Sequence, residues 1–124
     1  MTSSTELFAA PHGLVFVYDP DAVIDVPEDT SEGPILGTET CISIWTVQAM
    51  DGKVRLTISD DPSDIRGTKR YSGLLRTQDR CVAINDAEVN EIVRLHVEAD
   101  EVLVEVYTND PASPSDVMCL LRQA

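Results

Sequence analysis

Apolar and polar positions alternate along much of this chain, and the alternation has a period of two. "GLVFVYD" (13–19), "CISIWTV" (41–47), "KVRLTIS" (53–59), "RCVAIND" (80–86), "EIVRLHV" (91–97) and "EVLVEVYT" (101–108) all draw their apolar residues largely from the β-branched and aromatic types. Residues two apart share one face of a strand, whereas a helix needs them three and four apart through several turns. No segment sustains the helical spacing for three turns. The pattern therefore predicts strands, the first of them closed by Asp19-Pro20.

Two segments predict hairpins. In 41–60 the Asp51-Gly52 pair suits a two-residue turn, because both positions accept positive φ. That register sets Ala49 opposite Val54, Val47 opposite Leu56 and Trp45 opposite Ile58, all on one face expected in the core. In 91–109 a turn at Ala99-Asp100 sets Val97, Leu95 and Val93 opposite Val102, Val104 and Val106, with Arg94 across from Glu105 on the polar face. "YSGLLRT" (71–77) and 80–86 predict shorter strands, "AVIDV" (22–26) a brief one, and "SDVMCLLRQA" (115–124) a last strand in preference to a short helix begun by Ser115. The expected fold is an all-β antiparallel sandwich of about seven or eight short strands with little helix. It fills 1–124 as a single acidic domain, with 1–12 a loosely ordered N-terminal arm.

Charge changes this picture more than composition does. The chain of 124 residues has 22 acids against 9 bases, a net charge of −13. Residues 1–52 carry nine acids and no base, 53–80 carry seven bases against four acids, and 81–124 carry nine acids against two bases. The densest acidic run is "DPDAVIDVPEDTSEGP", from Asp19 to Pro34, with six carboxylates, three prolines and no base. Such a balance disfavours nucleic acids and anionic membranes as partners and favours a basic protein or cations. The basic stretch 66–80 is expected to neutralise the acidic N-terminal one.

Motifs for chemistry are sparse. Cys41, Cys81 and Cys119 follow no CxxC pattern and sit beside apolar residues, which predicts buried reduced thiols. His12 and His96 have no convergent partners and read as surface residues, so no catalytic residue, cofactor or metal site is expected. Asp19, Asp21 and Asp25, with Asp60, Asp61 and Asp64, raise a calcium reading, but they lack the alternation and central glycine of a calcium loop. A basic n-region and a spanning apolar stretch are both missing, and a cytoplasmic location is the expectation.

The order of elements is similar to that of the competence protein J family: the strand "GLVFVYD", an acidic irregular stretch, "ISIWTV…VRLTIS", paired short strands, then "IVRLHV…VLVEVYT". The resemblance spans roughly residues 12 to 108. Members of that family are small acidic inhibitors of a DNA-entry nuclease, so the resemblance implies an inhibitor or immunity role. Combined with the charge, the expected function is a non-enzymatic acidic protein that binds and blocks a basic nuclease or toxin. The expected contacts are Asp19, Asp21, Asp25, Glu28, Asp29 and Glu32. Two other readings fit the same composition: a calcium- or small-ligand-binding sandwich, and a self-assembling structural module.

Overall fold

The computed structural model describes residues 2–22, 24–27 and 30–123. These residues form ten strands: β1 (Ser3–Phe8), β2 (Leu14–Tyr18), β3 (Ile35–Gly37), β4 (Cys41–Trp45), β5 (Val54–Ser59), β6 (Thr68–Arg76), β7 (Cys81–Asp86), β8 (Glu91–His96), β9 (Glu101–Thr108) and β10 (Asp116–Gln123). They build two five-stranded sheets, ordered β1-β5-β10-β9-β6 and β3-β4-β2-β7-β8. Every ladder is antiparallel except β5–β10, which is parallel. Helical structure among the described residues is confined to three-residue 3-10 turns at Pro11–Gly13, Thr30–Glu32 and Pro62–Asp64.

The all-β sandwich is as expected, with ten strands where the pattern predicted seven or eight. Residues 3–8 are an edge strand and not a loose arm: Ser3 to Phe8 pair with Ser59 to Val54. An edge strand with most of its side chains exposed needs little apolar alternation, so Ser-Ser-Thr-Glu carries no strand signal. β3 is too short to show a period. "AVIDV" forms no strand; Ile24, Asp25 and Val26 are irregular, and Val23 lies outside the described residues.

Neither predicted hairpin forms. β4 and β5 belong to different sheets, as do β8 and β9, so residues 46–53 and 97–100 are arches that carry the chain across the sandwich. The inward side chains of the second pair are as expected: Val93, Leu95, Val97, Val102, Val104 and Val106 all enter the core, but they meet across the sheets. In the first pair the parity of one strand is reversed. Ile42 and Ile44 point inward with Val54, Leu56 and Ile58, whereas Trp45 lies on the outer face, half-buried. Val47 reaches the core only after the β4 ladder has ended. Arg94 bonds Glu91 instead of Glu105.

A smaller apolar cluster sits outside the first sheet. Tyr107, Met118 and Leu120 alternate with core residues, and Ile65 of the β5–β6 connection packs on them. Between the same strands Glu105 accepts hydrogen bonds from Arg122 Nε (2.8 Å), Tyr107 Oη (3.0 Å) and Lys69 Nζ (3.1 Å). The Arg122 contact, aided by Lys69 and Tyr107 against desolvation, holds the Glu105 carboxyl at about 2. All three cysteines are buried and free, and burial pushes the Cys41 and Cys119 thiols up to about 12.

One open side of the sandwich, between edge strands β6 and β3, is bolted by Tyr71. A Cβ on Gly37 would lie 1.9 Å from the Tyr71 hydroxyl and 2.8 Å from Cζ; one on Gly73 would lie 2.6 Å from the hydroxyl. The ring is held between two glycines of opposite sheets and cannot retreat from one without meeting the other.

Gly37→Ala is expected to cost about 2 kcal/mol by overpacking, and Tyr71→Leu in the same chain to recover part of it. Urea unfolding measures both; a Gly37→Ala chain of unchanged midpoint would show that the ring is not wedged. The depressed Glu105 carboxyl sets a second expectation. Its contribution is complete above its unfolded value and is lost as pH falls through roughly 4 toward the folded value of about 2. Glu105→Gln should flatten that acid limb of the midpoint-against-pH curve. Parallel curves for the two proteins would exclude this role.

Candidate protein-binding surface

Residues 19–34 connect β2 to β3 as a strap clipped to the fold at several points. At its start Asp19 is fully buried. Its Oδ1 accepts from the backbone N–H of Asp21 (3.1 Å) and its Oδ2 from that of Asp79 (2.8 Å), tying the strap to the β6–β7 loop. Further on, the Asp25 N–H donates to Thr40 Oγ1 (2.7 Å) and its carbonyl accepts from the Thr38 hydroxyl (2.5 Å). At the far end Trp45 Nε1 donates to the Thr30 carbonyl (2.7 Å), and the Trp45 N–H to that of Pro34 (3.0 Å).

β4 departs from simple alternation. Cys41 and Ser43 alternate with the core residues Ile42 and Ile44 and so face outward, yet both are buried. Among the described residues Ser43 Oγ has no hydrogen-bond partner.

The expected contact residues divide accordingly. Asp19 is a correction: it is spent inside the fold, because two backbone donors need a buried acceptor, and no partner reaches it. Asp21, Asp25 and Glu32 are exposed, and among the described residues none forms an ion pair. Glu28 and Asp29 lie outside the described residues.

The bases neutralise the other end of the sequence. Arg55 and Arg66 pair with Asp116, Lys69 and Arg122 with Glu105, Arg80 with Asp100 and Arg94 with Glu91. Among the described residues, only Arg76, at 3.5 Å from Glu39, reaches back toward the N-terminal acids. Among the described residues, the expected neutralisation of the opening stretch by 66–80 is limited to that pair, because Arg66, Lys69 and Arg80 are taken by Asp116, Glu105 and Asp100.

The calcium candidates are dispersed into local roles. Asp60 Oδ1 accepts from Thr2 N–H (2.6 Å), Asp61 Oδ1 from the Ser63 N–H (3.0 Å) and hydroxyl (2.9 Å), and Asp64 Oδ2 from the Ser59 hydroxyl (2.7 Å). No group of three or more potential metal ligands occurs among the described residues. His12 and His96 are exposed, the latter 3.6 Å from Glu98. Nor is any helix among the described residues long and apolar enough to cross a membrane.

Over 99% of its length the chain matches the crystal structure of ComJ, inhibitor of the DNA-degrading activity of NucA, from Bacillus subtilis, covering 98% of that chain with a TM-score of 0.72. The fold is that of ComJ. Sequence identity is only 8%, so the likeness is one of architecture. A structure described as crocagin biosynthetic gene J matches less closely, with a TM-score of 0.54 at 10% identity and 99% of each chain covered. No family model matches the sequence, and no curated protein matches it.

Beside the strap the ComJ-like fold carries a feature that the sequence reading misplaced. Trp45, with Ser31, Gly33, Pro34, Pro111 and Ala112, lines an open apolar recess where the strap meets the β9–β10 loop. A signal was available: in "CISIW" the isoleucines are the more consistent inward pair, and taking them as core turns Trp45 outward.

Asp19 and Asp21 should behave differently on substitution. Asp19→Ala removes the buried acceptor of two part-buried backbone N–H groups and is expected to cost on the order of 1–3 kcal/mol, with faster hydrogen exchange at the Asp21 and Asp79 amides. Asp21→Asn should leave stability within about 0.5 kcal/mol. Equal effects of the two changes in urea unfolding would remove the distinction.

Proposed function

We propose that this protein is a non-enzymatic acidic inhibitor that binds a basic partner, a nuclease or a toxin, and blocks it. The observation that carries the reading is the end-to-end fold likeness to ComJ, a protein that inhibits a nuclease. The strap supplies the chemistry. A nuclease groove is built to hold phosphates, and carboxylates placed at matching intervals occupy the same cationic sites without offering a scissile bond. Asp21, Asp25 and Glu32, with Glu28 and Asp29 of the same run, are the proposed contacts. Asp19 acts from beneath by fixing where the run begins. The clips matter for the same reason, since carboxylates on an ordered chain lose less conformational freedom on binding than those on a free loop. The proposed setting is cytoplasmic, consistent with three free thiols.

The long-range field accelerates encounter, while close contacts set the lifetime of the complex. The protein should abolish plasmid degradation by its cognate basic nuclease, with NucA the first to assay. Changing Asp25, Glu28, Asp29 and Glu32 to Asn or Gln should slow association by roughly tenfold or more and flatten its salt dependence. It should leave stability nearly unchanged, because exposed charges contribute little. Neutralising Glu98, Asp100 and Glu101 in the 97–100 arch and at the start of β9 is the control of like sign. A quadruple variant that associates at the wild-type rate while the control slows would move the contact to that arch. Failure to inhibit any basic nuclease or toxin would remove the inhibitor reading.

A further inference from the structure

Ladder register gathers five loops at one end of the sandwich. Trp45 pairs with Leu14, Asp86 with Val15 and Thr108 with Thr68, while Thr46 N–H donates to the Gly13 carbonyl and Val47 N–H to that of Pro114. Residues 9–13, 31–34, 46–53, 87–90 and 109–115 therefore share that end, and Asp19 lies at the other. The two most exposed large apolar side chains, Met50 (88%) and Val89 (75%), stand on these loops. So does the recess around Trp45.

We propose that this recess is the energetic centre of the binding surface, and that it takes an arginine side chain of the basic partner, stacked on the Trp45 ring. The proposal rests on the preceding reading for the sign of the partner's charge. Its own support is local. The bond from Nε1 to the Thr30 carbonyl satisfies the one polar atom of the indole and fixes the plane of the ring. What remains open to the recess is ring surface, walled by Pro34 and Pro111. Two carboxylates border it: Glu32 stands between the lining residues Ser31 and Gly33, and Asp110 directly precedes Pro111 and Ala112. Both are exposed, and among the described residues neither is in an ion pair; Asp110 Oδ1 accepts from the Ala112 (2.9 Å) and Ser113 (2.8 Å) N–H groups, which fixes the carboxylate at the rim. A preset aromatic face with apolar walls and exposed carboxylates at its rim matches a guanidinium, which stacks flat and donates from its edge. A lysine ammonium, compact and strongly hydrated, fits such a site less well. Buried aromatic anchors ringed by polar groups are also where binding energy concentrates in protein interfaces.

Trp45 is the only tryptophan, so the emission of the intact protein reports on the recess directly. The probe is a hexa-arginine peptide, with hexa-lysine as comparison. Hexa-arginine should change Trp45 emission saturably and bind several-fold tighter than hexa-lysine. Ala112→Lys, at an exposed lining position, should weaken hexa-arginine by roughly tenfold, and Gln123→Lys at the far end of the sandwich by less than about twofold. Trp45→Phe, confirmed folded by its unfolding midpoint, should lose affinity by calorimetry as well. Binding without a change of emission, or equal losses in the two Lys variants, would reduce the recess to a part of a diffuse acidic surface and overturn the proposal. So would a concentration-dependent emission shift of the protein alone, which would make a second copy the occupant. If the peptide results hold and no nuclease is inhibited, the recess stands and the inhibitor reading falls. If inhibition is intact in Ala112→Lys and Trp45→Phe, the reverse is true.

Discussion

The structure depends on one contact, the burial of two aliphatic sheet faces against each other. Val15, Val17, Ile42, Ile44, Val82 and Ile84 of one sheet meet Val54, Leu56, Ile58, Val104 and Val106 of the other, all fully buried. Aromatic residues are only 5% of the chain, so this core is filled by small branched side chains that pack well on a pleated surface. Such faces cannot be left open, and the chain crosses from sheet to sheet repeatedly to keep them together. Trp45 is excluded from that layer, which leaves it free to line the recess at the end.

With the core so placed, charge is distributed by topology. Sheet neighbours bring bases of β5 and β6 against carboxylates of β9 and β10, and Arg80 of the β6–β7 loop against Asp100 of the 97–100 arch. The acidic strap is clipped to the other sheet, and among the described residues none of its carboxylates forms an ion pair. Self-repulsion among its carboxylates costs stability, and the clips at Asp19, Asp25 and Trp45 hold the strap in spite of it. A loop serving only to blunt a sheet edge would not need five anchoring hydrogen bonds.

Much of the fold was legible in the sequence and its pairing was not. Alternation identified β2, β4 to β10 and most of their inward faces, because a buried face leaves a period of two whatever it packs against. The same alternation cannot distinguish a hairpin from an arch: in both, apolar residues of consecutive strands meet, side by side in one case and across the core in the other. Val97 and Val102 look identical in either arrangement. Asp51-Gly52 favours a tight turn locally, but the gain from such a turn is small beside the burial of Ile42 and Ile44. Of the acidic run, its exposure and charge were readable. The burial of Asp19 was not, since it follows from Asp79, sixty residues away, presenting an N–H that needs an acceptor.

The parallel pairing of β5 with β10 has a consequence for how the chain acquires this fold. β5 is flanked by β1 on one side and by β10 on the other, so its neighbours come from residues 3–8 and 116–123. Hydrogen bonds on one edge of β5 can form early, but the other edge stays open until the chain beyond residue 116 has emerged from the ribosome. Pairings this distant in sequence are slow, because loop closure opposes them before any contact rewards it. During synthesis the half-finished sheet presents an apolar strand, Val54 to Ser59, with an unsatisfied edge. The high negative charge already carried by the nascent chain would then keep such intermediates apart, giving the acidity a use before any partner is met.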